Sequence, residues 1–230
     1  MYLLRAFLDP RSRQVRIDAR DPDSLHKTVM RAFPDDAGPN PRKSHQVLHR
    51  LEQDRERTVL LVQSRVPPAT EKWPRGYLLE PSDDLDLAMS ALGENPAVRP
   101  LPIDRIGDGD RFAFRLKANT TRKIDTKTGS DGNKRNGRRV PVRGDEERLA
   151  WLQRHAERGG FSVDPGRLRI TEVGPAGGRG KESVVVAGTL FEGILRVERA
   201  ADFHTALAGG IGPAKAFGFG LLSLARVRTD

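Results

Sequence analysis

Stretches of alternating apolar and polar residues, separated by stretches with helical spacing, divide the chain into two similar series. In each series the pattern predicts a strand, a helix, two strands, a second helix and a closing strand. The first series occupies residues 2–9, 21–33, 47–52, 58–64, 82–92 and 98–106. The second occupies residues 111–118, 145–158, 167–173, 183–197, 201–208 and 218–226. This repeated βαββαβ order predicts an α+β protein with two tandem ferredoxin-like, RRM-like domains.

Local signals define the ends of several elements. Asp21 precedes Pro22, which is typical of a capped helix with proline at its first position, and Pro34 ends that helix. The prolines within residues 98–106 favour an edge strand over a central one. Residues 107–110 consist of glycine and aspartate, which is typical of a linker. The two domains are therefore expected at residues 1–107 and 108–230.

The excess positive charge is concentrated in one segment. The chain carries 40 lysines and arginines against 31 aspartates and glutamates, a net charge of +9. From Arg111 to Arg143 there are eleven basic residues and two acidic ones, so the rest of the chain carries 29 of each sign. A basic run is often only a solvated face. A surplus confined to one segment favours a polyanionic partner, and nucleic acid is the preferred interpretation.

The centre of this segment predicts a flexible hairpin or loop between two charged arms. Residues 126–133 are rich in turn-forming types, and residues 122–139 contain no aromatic side chain that could stack on single-stranded bases. Recognition of a duplex through its backbone and shape fits better, and double-stranded RNA is read largely in this way. The predicted RNA-binding side chains are those of Arg115, Lys117, Arg122, Lys123, Lys127, Lys134, Arg135, Arg138 and Arg139.

Composition excludes several other classes of protein. The chain has no cysteine, so disulfides, thiol nucleophiles and cysteine-based zinc sites are excluded. It has no apolar run long enough to span a bilayer. The apolar stretch at its start is too short for a signal peptide and lacks a cleavage site. A cytoplasmic protein without a membrane partner is therefore expected.

A glycine-rich loop near the end of the chain is a second candidate binding element. Gly210 and Gly212 flank one apolar residue, Gly218 and Gly220 flank another, and Lys215 lies between the two pairs. Glycines let backbone N–H groups turn toward phosphate oxygens, but the spacing is not that of a nucleotide-binding P-loop. The alternative is a turn that leads into a last buried strand, with Lys215 solvated.

The five histidines are the candidates for chemistry. His45 and His49 have the spacing of a metal pair on a helix, but in the predicted strand they would lie about 13 Å apart, so no metal site is expected. Surface positions on helices explain His155 and His204. His26 lies one turn into the capped helix beside the predicted sheet, and by itself a solvated or hydrogen-bonded histidine remains the simpler interpretation.

Short motifs in a fixed order carry a resemblance to a known family. They are residues 1–3 (MYL), 24–26 (SLH), 33–34 (FP), 61–64 (LVQS), 114–119 (FRLKAN), 139–142 (RVPV), 150–154 (AWLQR) and the whole run 209–224. Through these motifs the chain resembles the CasE family, the CRISPR repeat-processing endoribonucleases of the Cascade (type I-E) complex, over nearly its full length.

The resemblance implies a specific reaction. Family members bind the stem-loop of the precursor CRISPR RNA repeat and cut it once at the stem base, without a metal ion or other cofactor. The upstream 2′-hydroxyl attacks the adjacent phosphate and leaves a 2′,3′-cyclic phosphate. The resemblance assigns acid–base catalysis to His26 and stabilisation of the phosphorane to a cation, Arg31 or its neighbour Lys27. Mature crRNA and the other Cascade subunits are the implied partners.

One position departs from the family pattern. Family members commonly have a tyrosine three residues before the catalytic histidine, where this chain has Asp23. Asp23 either favours the helix N-terminus electrostatically, the preferred interpretation, or pairs with His26 and raises its pKa. A non-catalytic RNA-binding or scaffold protein with two RRM-like domains is the alternative function, since residues 215–219 resemble the aromatic motif of an RRM strand.

Overall fold

Eleven strands account for the sheets of the computed structural model, which describes residues 1–35, 38–55, 57–80, 93–124, 138–176 and 186–227. The strands before residue 107 are β1 (Tyr2–Phe7), β2 (Leu48–Gln53), β3 (Thr58–Ser64) and β4 (Ala97–Pro100). The later strands are β5 (Arg111–Ala118), β6 (Thr121–Ile124), β7 (Arg138–Pro141), β8 (Phe161–Val163), β9 (Arg169–Ala176), β10 (Val186–Val197) and β11 (Leu222–Arg226).

The two large sheets share one topology. The first is antiparallel with the order β2-β3-β1-β4, and the second has the order β11-β5-β10-β8, with β9 also paired to β10. In the first sheet the opening strand β1 lies between the closing strand β4 and β3. In the second sheet the opening strand β5 lies in the same way between the closing strand β11 and β10. The predicted α+β class with tandem ferredoxin-like domains is confirmed. Strands β6 and β7 pair separately as a two-stranded hairpin.

Helices cover one face of each sheet and bury two separate cores. They are α1 (Arg13–Asp18), α2 (Pro22–Met30), α3 (Pro41–Ser44), α4 (Asp145–Arg158) and α5 (Ala200–Gly209). Val29 and Phe33 pack with the first sheet, while Trp151, Leu152 and Phe203 pack with the second. The helix predicted at 82–92 lies outside the described residues.

Several short elements differ from the prediction. Helices α1 and α3 and strand β8 were not expected, because segments of three to six residues carry too little periodicity. The predicted strand at 98–106 ends at Pro100, and residues 103–105 form a 3₁₀ turn. The last strand begins at Leu222 instead of residue 218, because Gly218 and Gly220 have φ values of 81° and 87°, outside the β region.

Arg50 joins the two sheets. Its side chain is 3% exposed, and it donates hydrogen bonds to the carbonyl oxygens of Arg115 at 3.2 Å and Leu221 at 3.1 Å. Gln63 adds a bond from its side-chain amide to the carbonyl of Leu207 at 2.8 Å. These bonds fix β2 and β3 against the second domain, and the 3₁₀ turn Lys215–Phe217 that follows α5 lies beside α2. The domain boundary at residue 107 stays a prediction.

Candidate active site and nucleic-acid interface

Helix α2 places His26 at the surface of the first domain. The Asp21 carboxylate accepts a hydrogen bond from the backbone N–H of Asp23 at 3.0 Å, so the predicted cap is confirmed. Leu25 and Val29 are buried on the side of the helix that faces the sheet. This arrangement leaves His26 half-buried at the edge of that packed face.

His26 lines a cleft between three segments. The cleft has a volume of about 380 Å³ and lies between α2, α3 and the 3₁₀ turn Lys215–Phe217, which contributes Ala216. Arg42 and Lys43 of α3 line it as well. A histidine and two cations around one concave surface provide the groups that phosphodiester transesterification requires.

The pKa of His26 is lowered from its ordinary value of 6.5. Burial is the largest cause, and the positive charge of Arg42 acts in the same direction. The carboxylate of Asp23 opposes these effects without reversing them. His26 is therefore neutral near pH 7 and has a lone pair with which to accept a proton.

The two cations that the resemblance assigned lie on the exposed side of α2. Lys27 forms an ion pair with Asp23 at 2.7 Å, and Arg31 is exposed at the C-terminal end of the helix. Asp23 does act to raise the pKa of His26, as the alternative hypothesis stated, but burial outweighs it and the pKa is lowered overall. The cations that line the cleft with His26 are Arg42 and Lys43, neither of which was predicted, and the charge of Arg42 acts on His26.

His49 lies beneath His26 on strand β2. Alternation along β2 puts Leu48 and Arg50 on the face toward the second domain and His49 on the face toward α2. The rings of His49 and His26 are stacked, with centroids 6.1 Å apart and planes 21° apart. His49 is fully buried, and burial lowers its pKa to about 3, helped by the charge interaction with His26.

Acid should destabilise the protein through His49. The pKa of His49 is lower in the folded protein than in the unfolded chain, so the unfolded chain binds more protons below pH 6.5. The folded protein therefore loses stability as the pH falls from 6.5 to about 3. At pH 5 the loss is about 2 kcal/mol. We expect urea unfolding of His49→Phe to show a correspondingly smaller fall in stability from pH 7.5 to pH 5. Equal falls in both proteins would contradict the burial argument.

The glycine loop, residues 209–220, is folded onto the protein itself. All four predicted glycines have positive φ values, between 74° and 87°. The backbone N–H of Ile211 donates to the carbonyl of Gly220 at 2.9 Å, and the N–H of Gly220 donates to Lys117 at 2.8 Å. A Cβ atom on Gly210 would lie 2.7 Å from the side chain of Leu48. Contact with RNA stays a prediction for these glycines.

Gly212 should be intolerant of a side chain for two independent reasons. Its φ is 80°, and a Cβ atom would lie 2.9 Å from the Trp151 ring. We expect Gly212→Ala to lower the free energy of unfolding by roughly 1–3 kcal/mol. Gly209→Ala is the matched control, because a Cβ atom there meets nothing within 4 Å. Denaturant melts of the two variants test this, and equal stabilities would contradict it.

Lys215 is half-buried beside the cleft. Burial lowers its pKa, and so does the positive charge of Arg42. The position agrees with a charge directed at a bound phosphate, whereas a fully solvated lysine would show no such burial. Ala214, the preceding residue, has a φ of 62°, which aims the 3₁₀ turn back toward α2.

The two basic residues of β5 have different environments. Arg115 forms ion pairs with Glu192 at 2.6 Å and Glu52 at 3.1 Å, so its charge is largely matched within the protein. Lys117 lies over the Phe219 ring, with its Nζ atom 5.1 Å from the ring centroid, and burial lowers its pKa. Binding of RNA by either residue stays a prediction.

The basic arm is a hairpin at its base. Strands β6 and β7 pair in register with Lys123 opposite Arg139, and both side chains are exposed, as is Arg122. Like charges directly opposite one another destabilise a strand pair, and a bound polyanion would offset this repulsion. The indole of Trp151 anchors the hairpin by donating to the carbonyl of Thr121 at 3.2 Å. Outside the described side chains lie Lys127, Lys134, Arg135 and Arg138.

The resemblance of residues 215–219 to an RRM strand has no structural counterpart. Residues 215–217 form a 3₁₀ turn, and Phe219 is 1% exposed, so it cannot stack on a base. The two helical histidines are half-buried instead of solvated. His155 stacks on Trp151 at 3.8 Å, and His204 bonds through Nε2 to the carbonyl of Ile106 at 2.8 Å.

Among the residues that the structure describes, no group of three or more histidine, aspartate or glutamate side chains could hold a metal ion. His45 and His49 face different surroundings. The His45 ring stacks on Phe33, while His49 lies beneath His26. No helix in the described part of the chain is long and apolar enough to span a membrane.

Comparison with known proteins identifies relatives along the whole chain. The CRISPR-associated endoribonuclease Cse3 of Thermus thermophilus is 29% identical over 240 residues, which cover 98% of this chain and 100% of that protein. The Cascade subunit CasE of Escherichia coli is 34% identical over 121 residues, covering 49% of this chain and 56% of that protein.

The fold agrees with these sequence relationships. The structure of Thermus thermophilus Cse3 bound to an RNA that represents a pre-cleavage complex superposes with a TM-score of 0.74 at 29% identity, covering 97% of this chain and 98% of that one. The family model described as CRISPR associated protein matches residues 1–226. The chain therefore belongs to the CRISPR associated protein family.

Proposed function

We propose that this protein is a metal-independent endoribonuclease that binds the stem-loop of precursor CRISPR RNA repeats and cuts at the base of the stem. The carrying observation is the cleft in which the half-buried, neutral His26 lies with Arg42. The name endoribonuclease carried by Cse3, and the RNA bound in its structure, support the same activity here.

His26 acts as the proton acceptor in this proposal. Its ring takes the proton of the upstream 2′-hydroxyl, and the resulting oxyanion attacks the adjacent phosphorus to give a pentacoordinate phosphorane. Expulsion of the 5′-oxygen then yields a 2′,3′-cyclic phosphate and a 5′-hydroxyl. The proton that His26 accepted is available to this leaving oxygen.

Cations around the cleft offset the growing negative charge of the phosphorane. Arg42 is the best placed of these, since it lines the cleft and its charge acts on His26. Lys215 is close enough to Arg42 for the two charges to influence each other. Arg31 and Lys27, which the family resemblance assigned, remain candidates that would have to leave the exposed side of α2.

The mature crRNA stays bound in this proposal, and the protein acts as a subunit of a Cascade complex in the cytoplasm. The basic hairpin β6–β7 supplies a contact with the RNA stem that cleavage leaves intact. Its exposed side chains lie on a separate two-stranded element, which fits a surface that holds the product after the reaction. The name of CasE, a Cascade subunit, supports this assignment.

Incubation of the purified protein with repeat RNA from its own host, in EDTA, tests the proposal. We expect a single cut at the stem base, with a 2′,3′-cyclic phosphate on the upstream fragment and a 5′-hydroxyl on the downstream fragment. Cleavage that requires added divalent ions, or a 3′-hydroxyl product, would contradict it. Tight binding without any cut would favour a non-catalytic RNA-binding protein.

A further inference from the structure

His49 has an environment that packing alone does not explain. It is 0% exposed, and neither of its ring nitrogens has a hydrogen-bond partner among the described residues. The Nδ1 atom of His26 is likewise enclosed and has no partner there. Three enclosed ring nitrogens therefore lie within one stacked pair of imidazoles.

Such an arrangement is costly for the folded state. Buried polar atoms in proteins are nearly always hydrogen-bonded, and those that are not lower stability. A leucine or phenylalanine on the buried face of β2 would fill the space without that cost, as Leu51 does on the same face. A histidine at this place is better explained by a partner that it gains during the reaction.

We propose that His49 is a positioning residue for His26. In the substrate complex it accepts a hydrogen bond from the Nδ1–H of that ring, which fixes the tautomer, and the bond strengthens when His26 is protonated. The inference rests on the proposed function, in which His26 takes the 2′-hydroxyl proton. The side chain of His26 lines the cleft while its Nδ1 is enclosed, so the Nε2 edge is the one that faces the substrate.

One proton stays on Nδ1 of His26 throughout the proposed reaction. The neutral His26 ring carries its proton on Nδ1 and accepts the 2′-hydroxyl proton on Nε2. The ring is then a cation, and its Nδ1–H donates to an unprotonated nitrogen of His49. No proton passes to His49, and the Nε2 proton leaves for the 5′-oxygen. The bond strengthens when His26 becomes charged, because hydrogen bonds from a charged donor are stronger, so it stabilises the transition state more than the ground state.

The charges around the pair keep His49 neutral and therefore able to accept. Arg42 faces the two rings from α3 and Lys117 faces His49 from β5, while Asp23 and Lys27 act on His26 from its own helix. The cations outnumber the carboxylate, and protonation of His49 would add a further positive charge. The two rings are stacked with centroids 6.1 Å apart, so the bond requires the His26 ring to turn its Nδ1 edge toward His49 when the substrate binds. Hydrogen bonds of catalytic groups are often long or poorly aligned in the unbound enzyme and tighten in the substrate complex.

A mutant cycle tests the proposal. His49→Phe keeps a buried flat ring and removes both nitrogens, while His49→Gln keeps an acceptor. We expect His49→Phe to slow single-turnover cleavage about 10- to 100-fold, as is typical for the partner that orients a functional histidine. Binding of a 2′-deoxy repeat should not change, and His49→Gln should recover part of the rate. The double variant His26→Ala/His49→Phe should cleave no more slowly than His26→Ala.

A second measurement does not depend on activity. Ring ¹⁵N chemical shifts of His26, measured in the complex with the uncleavable 2′-deoxy repeat, report its tautomer. We expect the population with the proton on Nδ1 to fall in His49→Phe. A purely structural role would change the melting temperature but not the tautomer. If His49→Phe does not fold, as judged by circular dichroism, the tautomer and the rate of His49→Gln decide the matter.

The failures of the two proposals are distinguishable. A fast His49→Phe enzyme together with a slow His26→Ala enzyme would overturn the role of His49 and leave the proposed function intact. Losses that multiply in the double variant would overturn it as well, because His49 would then act independently of His26. A fast His26→Ala enzyme would overturn both.

Discussion

Replacement of His26 by alanine is expected to slow cleavage of the repeat RNA by roughly 10²–10⁴-fold, the usual contribution of a general acid or base. Affinity for uncleaved RNA should hardly change, because one imidazole at the edge of a 380 Å³ cleft makes few of the ground-state contacts. Single-turnover cleavage of the ribose substrate measures the rate, and equilibrium binding of the uncleavable 2′-deoxy substrate measures the affinity.

Two controls make this result specific. His204→Ala removes a half-buried histidine of the other domain, which bonds the carbonyl of Ile106, and should leave the cleavage rate close to that of the unmutated protein. A 2′-deoxy sugar at the cut site should stop the reaction of the unmutated protein. Efficient cleavage of that deoxy substrate would show that the 2′-hydroxyl is not the nucleophile.

The direction of the pKa shift of His26 sets the pH dependence of the reaction. A base works in its neutral form, and burial lowers the pKa at which His26 loses that form. The rate should therefore persist below pH 6.5, where an exposed histidine would already be half protonated. If, as the pH is lowered, the rate already falls to half its maximum above pH 6.5, the lowered pKa of His26 would be contradicted.

The sequence predicted those parts of the fold that local signals determine. The aspartate and proline at the start of α2 and the apolar spacing of residues 145–158 depend on neighbours within a few residues, and both helices begin where expected. The strand at 111–118 is alternating and long, and its bounds were predicted correctly. The basic hairpin was predicted from charge and turn composition in the same local way.

The composition of the cleft could not be predicted, because it depends on contacts between distant segments. Arg42 lies in a short helix after a proline-rich stretch, and only the packing of α3 beside α2 brings it to His26. His49 was assessed only as a metal ligand. Its position between Val47 and Leu51 in a strand would have indicated a buried histidine on the helix-covered face.

The glycine loop was identified correctly as an unusual backbone but for an incomplete reason. Glycine permits the positive φ values that the loop adopts. The side chains that would clash with a substituent on Gly210 or Gly212, those of Leu48 and Trp151, belong to β2 and α4. Much of the glycine requirement is therefore internal to the protein. The part of the loop that lies at the His26 cleft is the 3₁₀ turn, with Ala216 in the cleft and Lys215 beside it.

Neutralisation of the hairpin is expected to weaken RNA binding and to flatten its salt dependence. The triple variant Arg122→Gln/Lys123→Gln/Arg139→Gln removes the three exposed cations that the structure describes on β6 and β7. Each lost phosphate contact lowers the slope of log affinity against log salt by about 0.7–0.9, so three contacts lower it by about 2–3. Filter binding of a 2′-deoxy repeat between 50 and 500 mM salt, a range on the order of one decade, measures this slope.

A matched control distinguishes the hairpin from general charge. Arg105, Arg111 and Arg226 line a separate cleft, and Arg111 lies at the opposite end of β5 from the hairpin, roughly 24 Å away at the rise of a strand. Their replacement by glutamine removes the same net charge and should leave the slope nearly unchanged. Equal losses in the two triple variants would mean that RNA responds to the overall charge of the protein. In that case the hairpin would be a solvated face, and the inference from the position of the basic segment would be wrong.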